Sequence, residues 1–183
     1  KNAKQGATFL LNSPFGKNEI WAHLPKYVQQ QIIDKGLKFF VIDGIALGEK
    51  LGLGARINVI MQTAFFKISN IISLDLAIRE IKDAIVKSYG KAGEKVVNMN
   101  KQAVDAALES VFAVDVPATA DSAIEMQVGK WDGCSDIVKK TLGPIIDGLG
   151  HKLPLSAMSE DGTFPTATAC VEKRNIAVTT PVW

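Results

Sequence analysis

Two short apolar runs bracket a segment of helical periodicity, and this arrangement limits the chain more than any other feature. Residues 7–11 (ATFLL) are rich in strand-forming side chains and end on Asn12, Ser13, Pro14 and Gly16, all turn formers. Residues 38–43 (KFFVID) form an unbroken apolar run of the kind buried in a parallel sheet, closing on Asp43 and Gly44. Between the runs, Asn18 is suited to cap a helix, Glu19 favours its first turn, and Ile20, Trp21 and Leu24 share a face. Pro25 restarts the helix where proline is tolerated; Leu24, Val28 and Ile32 then recur at spacings of four, and Gly36 closes the segment. Strand, helix, strand over this span is a βαβ unit, so the chain is expected to be α/β.

The pattern then turns helical. Residues 56–69 (RINVIMQTAFFKIS) are apolar on most faces and predict a buried helix. From Ser73, Leu74, Ile78, Ile81 and Ile85 fall on one face while Arg79, Glu80, Lys82 and Asp83 take the other, ending at Tyr89 and Gly90. A further helix is expected from Glu94 to Ser110, with Val97, Val104, Leu108 and the following Val111 inward. The VDVP stretch at 114–117 marks the expected boundary between a first domain, 1–117, and a second, 118–183. In the second, a helix is expected over Ser135–Thr141, and Gly143, Pro144, Gly148, Gly150 and Pro154 are expected to keep the next stretch irregular. Residues 162–183, with Pro165 and Pro181, read as an extended arm lying on another domain or subunit. Only two strands are evident, against about four to six in an ordinary sheet. The missing strands are expected from a longer polypeptide or a partner chain, and a start at Lys1 in place of Met points the same way.

Charge and cysteine content exclude several classes. Lys and Arg number 21 against 19 Asp and Glu, a net charge of +2, which supplies neither a basic field for nucleic acid nor a polybasic membrane patch. Cys134 and Cys170 are too few and too far apart for a disulfide framework, a zinc motif or an iron–sulfur motif. No apolar run approaches the roughly 20 residues of a membrane span, and no secretory signal pattern is present.

Ligands of open α/β sheets sit outside the carboxyl ends of the strands. There Asn12 and Ser13 offer hydrogen bonds, Gly16 close backbone approach, and Lys17 a charge for phosphate. A turn feeding a capped helix accounts for the same residues. Gly48, Gly52 and Gly54 precede Ala55, Arg56, Ile57 and Asn58, a pattern that can present backbone N–H groups and a guanidinium to an anion. It is neither a P-loop nor the dinucleotide fingerprint, and a helix end with a flexible link explains it as well. His23 and His151 lack partners at metal spacing, no nucleophile elbow surrounds Ser13, Ser69 or Ser122, and Glu172-Lys173-Arg174 reads as a solvated run. The residues thus predict an anionic-ligand crevice and no catalytic group.

Several stretches together resemble a known family. Residues 6–21 (GATFLLNSPFGKNEIW), 37–44 (LKFFVIDG), 52–68 (GLGARINVIMQTAFFKI), 89–100 (YGKAGEKVVNMN) and 162–183 (GTFPTATACVEKRNIAVTTPVW) are similar, in order, to pyruvate:ferredoxin (flavodoxin) oxidoreductase. Ala55 and Ala64 depart from it, standing where many relatives carry Gly and Cys. The resemblance implies the C-terminal part of a three-layer α/β/α gamma-type domain over 1–117, then a small irregular α+β linker domain over 118–183 leading toward a ferredoxin-like cluster domain. It implies a cytoplasmic, homodimeric enzyme that decarboxylates pyruvate oxidatively to acetyl-CoA and CO2 and reduces ferredoxin or flavodoxin. Thiamine diphosphate, Mg²⁺ and three 4Fe–4S clusters would then lie in other parts of that enzyme. For this stretch it implies CoA engagement and domain or dimer packing, with Arg56, Asn58, Asn12, Ser13 and Lys17 as the chemically apt contacts. A free-standing, non-catalytic binding or assembly module is the alternative.

Overall fold

Strands β1 (Thr8–Asn12) and β2 (Lys38–Ile42) run parallel, with Thr8 opposite Lys38 and Asn12 opposite Ile42. They belong to a computed structural model that describes residues 3–126 and 131–171. Between them lie α1 (Ile20–His23) and α2 (Lys26–Asp34); after them come α3 (Gly44–Lys50), α4 (Asn58–Ser69), α5 (Leu74–Tyr89) and α6 (Glu94–Ser110). A third strand, β3 (Phe112–Ala113), pairs antiparallel with β2 and completes the sheet order β1-β2-β3.

Side chains alternate across a strand, so each strand feeds both faces of the sheet. Phe9 and Leu11 of β1 and Phe39 and Val41 of β2 pack with Ile20, Trp21, Leu24 and Ile32 of the α1–α2 layer. Phe9 stacks on Phe39 with ring centroids 5.3 Å apart. Leu10, Phe40 and Ile42 take the opposite face, against Ile60 and Ala64 of α4 and Ala103 and Ala107 of α6. Helix α5 adds Ile81 and Ile85 to Val59, Val97 and Val104 in a further cluster. This is the expected α/β/α arrangement. Its unbroken apolar strands reflect burial on both faces.

Several local expectations change. Asn18 does not cap α1: the backbone carbonyl of Gly16 receives the N–H groups of Glu19 and Ile20 at 3.0 and 2.9 Å, so a main-chain turn does the capping. Leu74 is exposed, and Ala77 joins Ile81 and Ile85 as the buried stripe of α5. Helix α3 ends at Lys50, so the glycines that follow it belong to a helix end and its link. Asp43 caps it by accepting from the Ala46 N–H at 2.9 Å. Helix α4 ends on Asn70 at φ 51°, a left-handed position that asparagine tolerates.

Two compact units, Lys1–Met126 and Gln127–Trp183, make up the chain. The division lies later than Pro117 because residues 118–126 are fastened to α2. The Lys26 N–H donates to the Ile124 carbonyl at 2.8 Å, and the Ser122 N–H to Gln29 Oε1 at 3.0 Å.

In the second unit the helix expected at Ser135–Thr141 continues past Gly143 and Pro144. A π turn, Val138–Leu142, runs directly into α7 (Gly143–Ile146), and the Gly143 N–H reaches back to the Val138 carbonyl. Pro144 is the second residue of α7. A Cβ on Gly143 would stand 2.7 Å from the Trp131 ring, so the indole packs directly on the backbone. Among the described residues this unit has no strand; short helical turns at Gly150–Lys152, Leu155–Ala157 and Thr168–Val171 make up the irregular stretch that its glycines and prolines predict. Thr168–Val171 is thus a 3-10 turn within the expected extended arm, most of which, with Glu172-Lys173-Arg174, lies outside the described residues.

Candidate ligand cleft at the strand ends

The loops leaving β1 and β2 are locked to one another by the polar residues that end the strands. Asn12 Oδ1 accepts from the Gly44 N–H at 2.7 Å. The Ser13 N–H donates to the Ile42 carbonyl at 2.9 Å, and buried Ser13 Oγ accepts from the Phe15 N–H at 3.1 Å. Gly44 packs closely here: a Cβ would lie 3.1 Å from Asn12 Oδ1 and 3.5 Å from Ile60 and Met61, so a side chain would press on the Asn12 amide. Asn12 therefore uses its side-chain carbonyl on the fold and retains an amide NH2 for another acceptor.

Outside these locks opens a cleft of about 280 Å³, lined by Ser13, Phe15, Gly16, Asp43, Lys50 and Phe112 among others. Three chain segments far apart in sequence meet there. Lys50 comes from the last turn of α3, where a cation also complements the helix dipole. Phe112 comes from β3. The Phe15 ring is stacked on His23, centroids 3.5 Å apart and planes 7° apart, which holds that wall in one orientation. Phe112 also borders an adjoining hollow lined by Gly16, Lys17, Asn18 and Glu19. Lys17 Nζ lies 6.0 Å from the Phe112 centroid, at the outer limit of a cation–π contact. Among the described residues, neither Lys17 nor Lys50 forms an ion pair.

Arg56 and Asn58 do not line this cleft. Arg56 is exposed on the link between α3 and α4, and Asn58 opens α4. Asn58 shares with Gln62, Ser88 and Tyr89 a separate hollow of about 110 Å³ between α4 and α5. The glycines before them serve packing: a Cβ on Gly48 would fall 2.6 Å from the Gly54 carbonyl oxygen. Of the sequence candidates, the structure sets Ser13 in the cleft, Lys17 beside it and Asn12 behind it. Lys50 and Phe112 had no sequence signal as site residues, because one stands in a Gly-rich stretch and the other in a strand of two residues.

No group of three or more His, Cys, Asp or Glu among the described residues is placed to hold a metal ion. Both cysteines are free thiols, and a 4Fe–4S cluster takes four thiolates, so this chain's own residues do not fit a cluster. Nor is any helix of the described residues long and apolar enough to cross a membrane.

A sheet covered on both faces, with a cleft outside the carboxyl ends of its parallel strands, defines an α/β domain with an open crevice at the strand ends. Comparison with known proteins gives its particular kind. The chain belongs to the pyruvate ferredoxin/flavodoxin oxidoreductase family, whose model matches residues 1–110. The model of EKR, a domain of unknown function, matches residues 124–177. A pyruvate:ferredoxin oxidoreductase of Moorella thermoacetica is 46% identical over 180 residues, covering 98% of this chain and 15% of its own. A pyruvate-flavodoxin oxidoreductase of Rhodospirillum rubrum is 44% identical over 184 residues, covering 100% and 15%. A pyruvate dehydrogenase (NADP+) of Cryptosporidium parvum is 38% identical over 210 residues, covering 100% and 11%. The chain thus spans about 15% or less of the length of these curated relatives.

Proposed function

We propose that this chain is the gamma-type segment, with its adjoining linker domain, of a cytoplasmic homodimeric enzyme. That enzyme decarboxylates pyruvate oxidatively to acetyl-CoA and CO2 and passes two electrons to ferredoxin or flavodoxin. The observation that carries this reading is the similarity to the Moorella oxidoreductase over 98% of the chain. Thiamine diphosphate, Mg²⁺ and the 4Fe–4S clusters belong to other domains in this reading. The segment's own task is to engage CoA and to pack domains and subunits together.

CoA carries a pyrophosphate and a 3′-phosphate, and this chain offers cations for them. Lys17 stands beside the strand-end cleft, with Ser13 and the amide of Asn12 as neutral hydrogen-bonding groups. Arg56 contributes a solvent-facing guanidinium, and Asn58 a neutral amide suited to the pantetheine arm. Electron-acceptor choice is assigned to other domains. The same segment occurs in a relative named for NADP+ as well as in relatives named for ferredoxin and flavodoxin.

Steady-state kinetics of the intact oxidoreductase, varying CoA and pyruvate separately, test the assignment. Loss of one charge-assisted contact removes about 1.5–3 kcal/mol. Exposure of Lys17 and Arg56 places each at the lower end, roughly a tenfold rise in KM for CoA. Lys17→Gln and Arg56→Ala should each show it, Asn58→Ala a smaller rise, and KM for pyruvate should not move. An unchanged KM for CoA in all three folded variants would return these residues to purely structural roles.

A further inference from the structure

Helices α4 and α5 are joined by the short link 70–73, and the apolar surface around it is left open. Ile71 is 68% exposed, the most open large apolar side chain described in the first unit. Ile72 beside it, Leu74 and Leu76 in the first turn of α5, and Phe65 toward the end of α4 are exposed as well. Single apolar residues on a surface are ordinary, but five within twelve positions mark an interaction site. No charge interrupts the stretch, since residues 68–74 read ISNIISL. Lys67, which borders it, donates from its ammonium to the Leu108 carbonyl near the end of α6 and so is held away from the link. The centre of a protein interface is likewise depleted of charge and rich in apolar area.

Size decides between partners. At roughly 150–200 Å² for a whole side chain, the five residues leave on the order of 400 Å² open. A stable contact between separate chains buries about 800 Å² on each side, twice what this patch supplies. Contacts between domains of one chain bury about 600–1,500 Å² in total, or roughly 300–750 Å² a side, and the patch falls in that class. A covalent tether makes such a contact sufficient by raising the partner's effective concentration. The curated relatives hold the further domains that such a contact needs, because this chain spans only about 15% of their length.

We propose that the 70–73 link and the helix ends beside it are a docking surface, with Ile71 at its centre, for a domain of the same polypeptide outside these 183 residues. This rests on the reading of the chain as a segment that packs domains together. It states where that packing occurs, and that the partner is tethered and is not a second subunit.

The intact oxidoreductase with a photoreactive diazirine side chain in place of Ile71, irradiated and then digested, tests the proposal. The expected cross-link joins the link to a peptide outside these 183 residues, in a product that keeps the mass of one subunit on a denaturing gel. A product of twice that mass puts a second subunit on the patch and overturns the proposal. A cross-link confined to these residues, or none to protein, overturns it as well. Ile71→Glu supplies a second readout, because its charge meets solvent in this unit but would be buried in the contact. Thermolysin, which cuts before accessible Ile and Leu, should cleave residues 70–76 of the intact variant about tenfold faster than those of the parent, with Ile71→Val close to the parent. Equal rates in parent and Ile71→Glu overturn the docking. The CoA reading fails by a different measurement: a cross-link within the subunit, with KM for CoA unmoved in the Lys17 and Arg56 variants, leaves the docking standing and removes CoA engagement. The opposite pair of results removes the docking alone.

Discussion

Asn12 Oδ1 accepts a hydrogen bond from the Gly44 backbone N–H at 2.7 Å, joining the end of β1 to the start of α3 across 32 positions of chain. The bond holds the two loops that frame the cleft at a fixed spacing. Asn12→Ala strands the part-buried Gly44 N–H, a loss of about 1–3 kcal/mol. Hydrogen exchange should show the Gly44 amide losing protection while the amides of β2 keep theirs. Unchanged protection at Gly44 would mean that another acceptor replaces Asn12.

Gly48 and Gly54 should both resist alanine, but for different reasons and to different degrees. Alanine at Gly48 puts a methyl 2.6 Å from the Gly54 carbonyl oxygen, a backbone atom that moves only with its loop. Overpacking of this kind costs about 1–3 kcal/mol. Gly54→Ala meets no atom within 4 Å but must hold φ at +57°, a strain of about 1 kcal/mol. Thermal unfolding of the two variants should therefore rank Gly48→Ala below Gly54→Ala, and the reverse order would show that the α3–α4 link yields easily.

Gln29 is fully buried, with both ends of its amide engaged: Nε2 donates to the Trp21 carbonyl at 2.8 Å and Oε1 accepts from the Ser122 N–H at 3.0 Å. Gln29→Ala abandons one buried partner, the Trp21 carbonyl, at about 1–3 kcal/mol and one part-buried partner, the Ser122 N–H, and adds a cavity. The segment 118–126 should detach before the sheet does. Limited proteolysis should cut there faster in the variant than in the parent, with cleavage in β2 unchanged.

Asp161 titrates below the usual carboxylate range, lowered from 3.8 to about 2 by the Ser159 hydroxyl, then by the Thr163 N–H and hydroxyl. A depressed folded-state value means the charged form is favoured by the fold. The contribution is complete above the unfolded value, near 3.8, and disappears as pH falls through about 2. Chemical shifts of the Thr163 amide monitored from pH 5 downward should hold steady through pH 4 and move only near the lower value. A midpoint near 3.8 would show that the Asp161 turn does not form in solution.

The βαβ unit and the long helices were legible because their causes are local. Residues 39–42 are apolar without interruption, as burial on both sheet faces requires, and turn formers flank the strand. Helix α6 runs from Glu94 to Ser110 as its periodicity predicts, because Val97 and Val104 recur on one face and no breaker intervenes. Family membership was equally readable, since it resides in the order of residues.

The tertiary structure decided the rest, through contacts that no local pattern encodes. β3 exists because β2 offers an edge to two residues, Phe112 and Ala113, too few to carry a period of their own. Within helix α3, Gly48 leaves no room for a side chain against the Gly54 carbonyl, and Gly44 packs closely on Asn12. The cleft obeys the same logic: it joins Ser13, Lys50 and Phe112, which only the packing of strands and helices brings together, and it leaves Arg56 and Asn58 elsewhere. Spacing along a chain reports which residues share an element; distance between elements is set by side-chain volume at their contacts, and that is where the composition of this cleft was determined.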